Sequence, residues 1–311
     1  MKTMINRTHV EGLLYDINKL ELKISGPNSK APGTQFISGE IQVATDDACI
    51  NIVPVHFTYV TATTSKGAQN ATFTVLSNII NGTFGTVMRD GKDKAIKVKI
   101  DSAIGLNDFY TDRNGEEELV SAKRNEGGFV HRIDALAEDE KERNTFEADM
   151  VITKVTHVDA NEERKLPEKI IVKGAIFDFR KALLPIEFSA VNPVAISYFE
   201  SLDASSKSPV FTKVWGRQVA ETGFRKIEEE SAFGEAKIRE IPTSHKDWVI
   251  TGALKEPYVW DDETSITAAE LTEAMAAREV YLAGVKQRWK EYKATQGASN
   301  NPASQVGAFN F

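Results

Sequence analysis

Five histidines, one cysteine and two acidic runs are the side chains of this 311-residue sequence from which catalytic or metal chemistry is ordinarily built. They do not converge. His9, His56, His131, His157 and His245 lie far apart along the chain, and Cys49 has no second thiol with which to form a disulfide or a thiolate metal site. Glu116 to Glu118 and Glu228 to Glu230 are acidic runs of the kind that solvated turns carry. The sequence has no phosphate-cradling glycine loop, dinucleotide fingerprint, HExxH pair or nucleophile elbow. The expectation is a protein that is not an enzyme, with no catalytic residue, metal or cofactor.

The aromatic and basic residues suggest different chemistry. Single-stranded nucleic acid is held by flat rings on which bases stack, interleaved with Lys or Arg that follow the phosphates. In GTQFISGEIQVATDD (residues 33–47), side chains alternate between faces, so Ile37, Gly39, Ile41 and Val43 form an inner row and Phe36, Ser38, Glu40 and Gln42 an outer one. Phe36 therefore stands in the row that faces water. Lys97 and Lys99 occupy the outer row of a later strand, and Lys23, Lys30, Lys66 and Arg89 lie in or beside connecting segments. Tyr59 completes the candidate set with Phe84. Alternation puts Tyr59 in a row with Val53, Val55 and Phe57, whereas Phe84 fits either core or surface; Phe57 and Phe73 are assigned to the core.

These residues need elements to position them. THVEGLLYDI and LELKI read as one strand kinked between its halves, with Gly12 where the backbone bends or approaches a neighbour. The loop SGPNSKAPG follows, then strands over GTQFISGEIQVAT and NIVPVHFTYVT. Phe73, Leu76, Ile79 and Ile80 fall at helical spacing behind an Asn70 cap, and Gly82 supplies a stop. GTVMRDGKDKAIKVKI reads as two strands around an Asp90-Gly91 turn. Three strands, a helix and two strands are the order of an OB-fold barrel.

The order recurs. FEADMVITKVTHV, IIVKGAIFDF and LPIEFSAV read as strands, NPVAISYFESL as a helix with Asn192 at its cap and Pro193 in its first position, and VFTKVWGRQV, a charged hairpin and DWVITGAL follow. VEGLLYD and VKGAIFD form a short echo between the halves. Residues 106–145 read as a loop-rich entry to this second region. Near the end, Thr267-Ala-Ala-Glu270 is a capping box, and Leu271, Met275, Leu282, Val285, Trp289 and Tyr292 form a helical stripe broken by Arg278. The chain then turns small and polar, ending Phe309-Asn310-Phe311.

The fold class expected is thus mainly β: an OB-fold-like nucleic-acid-binding domain (1–105), a second β-rich, barrel-like domain (106–262), a C-terminal helix (263–293) and a flexible tail (294–311). With 41% hydrophobic and 27% charged residues the composition is that of a folded globular chain. MKTMINRTHV has no signal-peptide core and no stretch approaches membrane-spanning length, so the expected location is the cytoplasm. The net charge of −7 excludes a polybasic binder. Its distribution is uneven: residues 1–105 hold 11 Lys and Arg against 9 Asp and Glu, and the remainder 27 against 36.

VEGLLYD, GTQFISGEIQVATDD and the terminal GAFNF resemble segments of bacteriophage-type single-stranded DNA-binding proteins of the OB-fold kind. The resemblance covers about the first hundred residues and the last twenty. It implies sequence-nonspecific binding of single-stranded DNA in phage replication or recombination, in the host cytoplasm. It also implies a tail whose Phe309 and Phe311 recruit replication or recombination proteins. The tail departs from that pattern, because Ser304-Gln305-Val306-Gly307-Ala308 carries no acid. Two other readings stay open at this point: a phage structural or assembly protein with tandem β domains, and an RNA-binding protein, which uses the same aromatic and basic groups.

Overall fold

Alternating apolar residues bend two runs of strands into two barrels, each filled by its inner rows. The structure, a computed structural model, describes residues 4–113, 115–161, 167–229, 237–260 and 266–299. The first run is β1 (Asn6–Ile24), β2 (Gln35–Ala44), β3 (Ile52–Thr61), α1 (Ala71–Ile80), the single turn α2 (Val87–Asp90), β4 (Lys97–Arg113) and β5 (Glu116–Ile133). The second is β6 (Asn144–Val158), β7 (Lys169–Phe177), β8 (Leu183–Ala190), α3 (Pro193–Ser201), β9 (Val210–Glu229) and β10 (Lys237–Ala253), followed by α4 (Ala268–Ser299).

Hydrogen bonding closes β1-β2-β3-β5-β4 into one ring and β6-β7-β8-β10-β9 into another. In both, the third and last strands pair in parallel and the other pairs are antiparallel. The helix falls after the third strand in each, as an OB-fold requires. The recurrence read from element order is therefore real, although the VEGLLYD and VKGAIFD echo joins a first strand, β1, to a second strand, β7. The core of the first barrel includes Leu14, Ile41, Val55, Phe57, Val98, Ile100 and Val130, with Leu76 and Ile79 of α1 closing one end. In the second barrel Phe146 stacks on Phe188 at 4.7 Å, and Ile196 and Phe199 of α3 play the part of α1. Both helices start on asparagine caps: Asn70 accepts from the Thr72 amide at 3.1 Å and Asn192 from the Val194 amide at 2.9 Å.

Three expectations are corrected. Val87–Asp90 is a helical turn, not a strand: Thr86 caps it by accepting from the Arg89 amide at 3.1 Å, and Asp90 accepts from the Thr86 amide at 2.9 Å. Lys97 and Lys99 consequently lie on the fourth strand of the barrel. The fifth comes from the region read as loop: β4 and β5 form one long antiparallel hairpin that turns at Gly115, where φ is +84°. Its distal part lies on the surface, so few of its residues form an inner row to be read. Helix α4 runs on to Ser299, beyond the expected end at 293.

The barrels are joined three times. β1 pairs with β6 from Asn6–Ala148 to Val10–Asn144, making one ten-stranded sheet. Each barrel also lends part of its last hairpin to the other: Ile104 of β4 belongs to the second core and Ala220 of β9 to the first. Between them Asn125 of β5 and Gln218 of β9 exchange side-chain hydrogen bonds of 2.8 and 2.9 Å, and Asn125 also donates to the Pro54 carbonyl at 2.9 Å. The Gln218 carbonyl accepts from Asn144 at 2.5 Å and Asn51 at 3.4 Å.

Helix α4 has the expected capping box, Thr267 and Glu270 exchanging bonds of 3.0 and 3.1 Å. Arg278, which interrupts its apolar stripe, meets Asp108 of β4 at 2.6 Å with both side chains nearly excluded from water. The interruption is an anchor. Among the described residues no helix is long and apolar enough to cross a membrane.

Replacing Asn125 by Leu leaves the Gln218 carboxamide and the Pro54 carbonyl without this partner. At about 1–3 kcal/mol per orphaned buried group, the urea unfolding midpoint should fall clearly. A midpoint equal to the parent's would show that the amide junction does not hold the barrels.

Candidate nucleic-acid interface

Phe36 does face outward, and it does not stand alone. Its ring lies 4.5 Å from that of Tyr59, tilted by 33°. A bulge produces the pair: between the Ile37–Val60 and Gly39–Phe57 pairings β2 advances two residues while β3 advances three. The extra residue reverses the alternation beyond Phe57, so Val60 turns toward the core and Tyr59 stands out, 48% exposed. This corrects the row in which simple alternation places Tyr59. Its hydroxyl is 3.1 Å from that of Ser25, and Lys23 sits directly across from Phe36 on β1. Lys23, Phe36 and Tyr59 are thus brought together. Lys30 and Lys66 are exposed on the β1–β2 and β3–α1 loops.

The other candidates fall elsewhere. Phe84 packs against the first core with the Arg132 guanidinium 5.4 Å from its ring centre. Arg89 is bound to Asp90 at 2.8 Å and to the Phe84 carbonyl at 2.7 Å. Lys97 donates to the Asp134 carbonyl at 2.9 Å, and Lys99 lies between Glu11 and His131 on the neighbouring strands. Phe309 and Phe311 lie outside the described residues.

Tyr59 opens into a cleft of about 770 Å³ between the first barrel, the β7–β8 turn and α4. Two rings on its lining are more exposed than Tyr59: Phe129 at 69% and Phe179 at 83%. A second bulge aims Phe129. Between Asp101–Phe129 and Ala103–Glu126 it is β5 that carries the extra residue. Gly128 is required there, since φ is +109° and a Cβ would come within 2.3 Å of the Asp101 carbonyl. Phe179 sits at the tip of the β7–β8 turn, which Asp178 ties by accepting from the Arg180 and Ala182 amides at 2.8 Å each. Arg180 is exposed with its guanidinium 5.0 Å from the Phe179 ring centre. Tyr281 of α4 completes the aromatic lining.

The acids nearby are held. Glu126 accepts from Thr58 at 2.5 Å and from Arg124, and Asp108 is taken up by Arg278 and by Ser121 at 2.6 Å. Burial, followed by the Arg124 guanidinium and Lys23, holds the His56 imidazole below its ordinary 6.5, with Glu126 and Glu40 pulling the other way. Burial and these two cations favour the neutral imidazole in the folded chain. Phe129, Phe179, Arg180 and Tyr281 are absent from the sequence reading; an aromatic before Arg in a strand-connecting turn, Phe179-Arg180, is the signal that could have found two of them. Among the described residues no group of three or more His, Cys, Asp or Glu is arranged to hold a metal ion.

The arrangement can stack planar rings and attract anions. The model of the family described as YorF matches residues 5–288 of the chain. No curated protein matches it. Among solved structures it is similar to the wild-type single-stranded DNA binding protein from Thermus aquaticus, with a TM-score of 0.46, 9% identity, and coverage of 85% of this chain and 98% of that one. A deletion mutant of the same Thermus aquaticus protein gives a TM-score of 0.44 and 10% identity over 86% of this chain and 100% of that one.

The His56 geometry has a measurable consequence. Well above pH 6.5 the imidazole is neutral in both folded and unfolded chains; as pH falls through 6.5 the unfolded chain takes up a proton that the folded one resists, so this contribution to stability is lost toward the depressed folded value. Thermal midpoints of the parent should therefore drop more steeply below pH 6.5 than those of His56→Gln. Equal slopes would contradict the assignment.

Proposed function

The chain belongs to the YorF family, and we propose that it binds single-stranded DNA by base stacking and phosphate contact, without chemistry and with little sequence preference. The observation that carries this reading is the Phe36–Tyr59 pair, in which a β-bulge turns Tyr59 out beside the half-buried Phe36 ring and into a cleft that Phe129 and Phe179 also line. A lone outward aromatic is ordinary on a protein surface. Tyr59, Phe129 and Phe179 along one groove, the first two aimed by bulges and Phe36 packed beside Tyr59, are the stacking platforms that a single strand needs and a paired duplex cannot use.

In this proposal Phe36 and Tyr59 stack bases at the first barrel, and Lys23, Lys30 and Lys66 contact phosphates beside them. Arg180 contributes a further cation from the second barrel. The anionic remainder of the chain keeps nonspecific attraction to duplex low, while the groove's own acids are held by Arg124, Thr58, Arg278 and Ser121. The phage-type resemblance of the sequence extends the proposal to replication or recombination intermediates, with Phe309 and Phe311 recruiting a partner.

The test is fluorescence anisotropy of a labelled oligo-dT at low and high salt, with a same-length duplex and a same-length RNA alongside. Affinity should be confined to the single strand and fall steeply with salt. Phe36→Ala and Tyr59→Ala should each weaken it by about 1–3 kcal/mol, with circular dichroism unchanged. Absence of binding at low salt overturns the proposal, and tighter binding of the RNA reassigns the ligand.

A further inference from the structure

A second groove of about 1150 Å³ continues from the first, sharing Phe129 and Phe179 with it. Its floor is the seam between the barrels. Residues directly opposite on paired strands share a face, and the register runs Phe129 on β5, Asp101 on β4, His9 on β1, Thr145 on β6 and Arg217 on β9. The adjacent row is Arg7, Glu147 and Trp215. Two rows of outward side chains thus cross the sheet without a break from one barrel to the other.

Trp215 is 40% exposed at the end of this row. Its indole packs against Gly252, where any Cβ would come within 2.4 Å of the ring, so only a glycine leaves room for it there. The acids of the seam are again occupied: Asp101 is 2.8 Å from His9, Glu147 3.1 Å from Lys213, and Glu126 is bound by Arg124 and Thr58. Arg7, Lys141 and Arg217 also line the groove, are exposed, and have no carboxylate partner among the described residues.

We infer that one single strand occupies both grooves of one chain, crossing from the first barrel onto the second along the β1–β6 seam, with Trp215 as the stacking platform of the second half. Arg7, Lys141 and Arg217 contact its phosphates. The inference rests on the function proposed above and adds a path: the second barrel binds through its junction with the first and not as a separate site.

Intrinsic fluorescence reads this directly, because Trp248 is buried and Trp260 and Trp289 are half-buried, leaving Trp215 as the exposed indole among the described residues. The full-length chain is titrated with oligo-dT of about 16 nucleotides, the upper end of what one barrel covers. Quenching is expected in the parent and should vanish in Trp215→Phe, which keeps a stacking ring and should bind within about twofold of the parent by anisotropy. Trp215→Ala should lose about tenfold in affinity, and Arg217→Gln should lower the salt slope by about one. Parent-like affinity in Trp215→Ala together with a parent-like salt slope in Arg217→Gln overturns the shared path. If Phe36→Ala still weakens binding in that case, the proposed function stands and the inference alone fails. No binding by the parent removes both.

Discussion

Two carboxamides, Asn125 on β5 and Gln218 on β9, face one another out of water and satisfy each other's donor and acceptor. An amide pair in this position has little tolerance: a shift of either strand leaves polar groups buried without partners, at a cost greater than the net gain of an ordinary hydrogen bond. The pair therefore specifies how the barrels sit. Ile104 and Ala220, each packed in the other barrel's core, supply the apolar burial that such a joint lacks by itself. The β1–β6 pairing makes the outer surface continuous across the junction. Both grooves depend on this geometry, because their walls come from different barrels.

Within that frame, β-bulges decide which side chains face the cleft. A closed barrel of regular strands would send alternate residues inward, and Tyr59 would be lost to the core. One extra residue in β3 turns it outward, and one extra residue in β5, permitted by Gly128, adjusts the strand that carries Phe129. The aromatic surface of the first barrel is thus built from local irregularities seated in rigid sheet. That suits a site which must present rings at set positions without large ordering cost on binding.

The charge arrangement follows the same economy of position. The chain as a whole is acidic, yet along both grooves the carboxylates are taken up by arginine, lysine, histidine, hydroxyl or backbone-amide partners, while Arg7, Lys141, Arg180 and Arg217 stay exposed. The net charge is a property of the whole chain; the local pattern sets the potential along the grooves. Burial and the Arg124 guanidinium favour the neutral form of His56.

Much of this was legible in the residues. Period-two alternation marked β2, β3, β6, β7 and β8, asparagine caps marked α1 and α3, the capping box marked α4, and the order of elements implied a barrel and its recurrence. Phe36 was identified as outward by alternation alone, since a strand with a clean inner row leaves no choice for the other row. The long β4–β5 hairpin was missed despite its Asn114-Gly115 turn signal, because a surface arm has few inner residues to reveal a period. Alternation puts Tyr59 in the wrong row because a bulge changes phase without a residue type of its own, and Phe129 and Trp215 go unread because a strand's neighbours are chosen by closure of the barrel; likewise Arg278 finds Asp108 only across 170 residues of chain. Local pattern is written in near neighbours and so the sequence alone determined the strands, the caps and the barrel order. The grooves are made of residues far apart in the chain, and only tertiary packing, with its register shifts and its buried amide joint, decided which of them stand side by side.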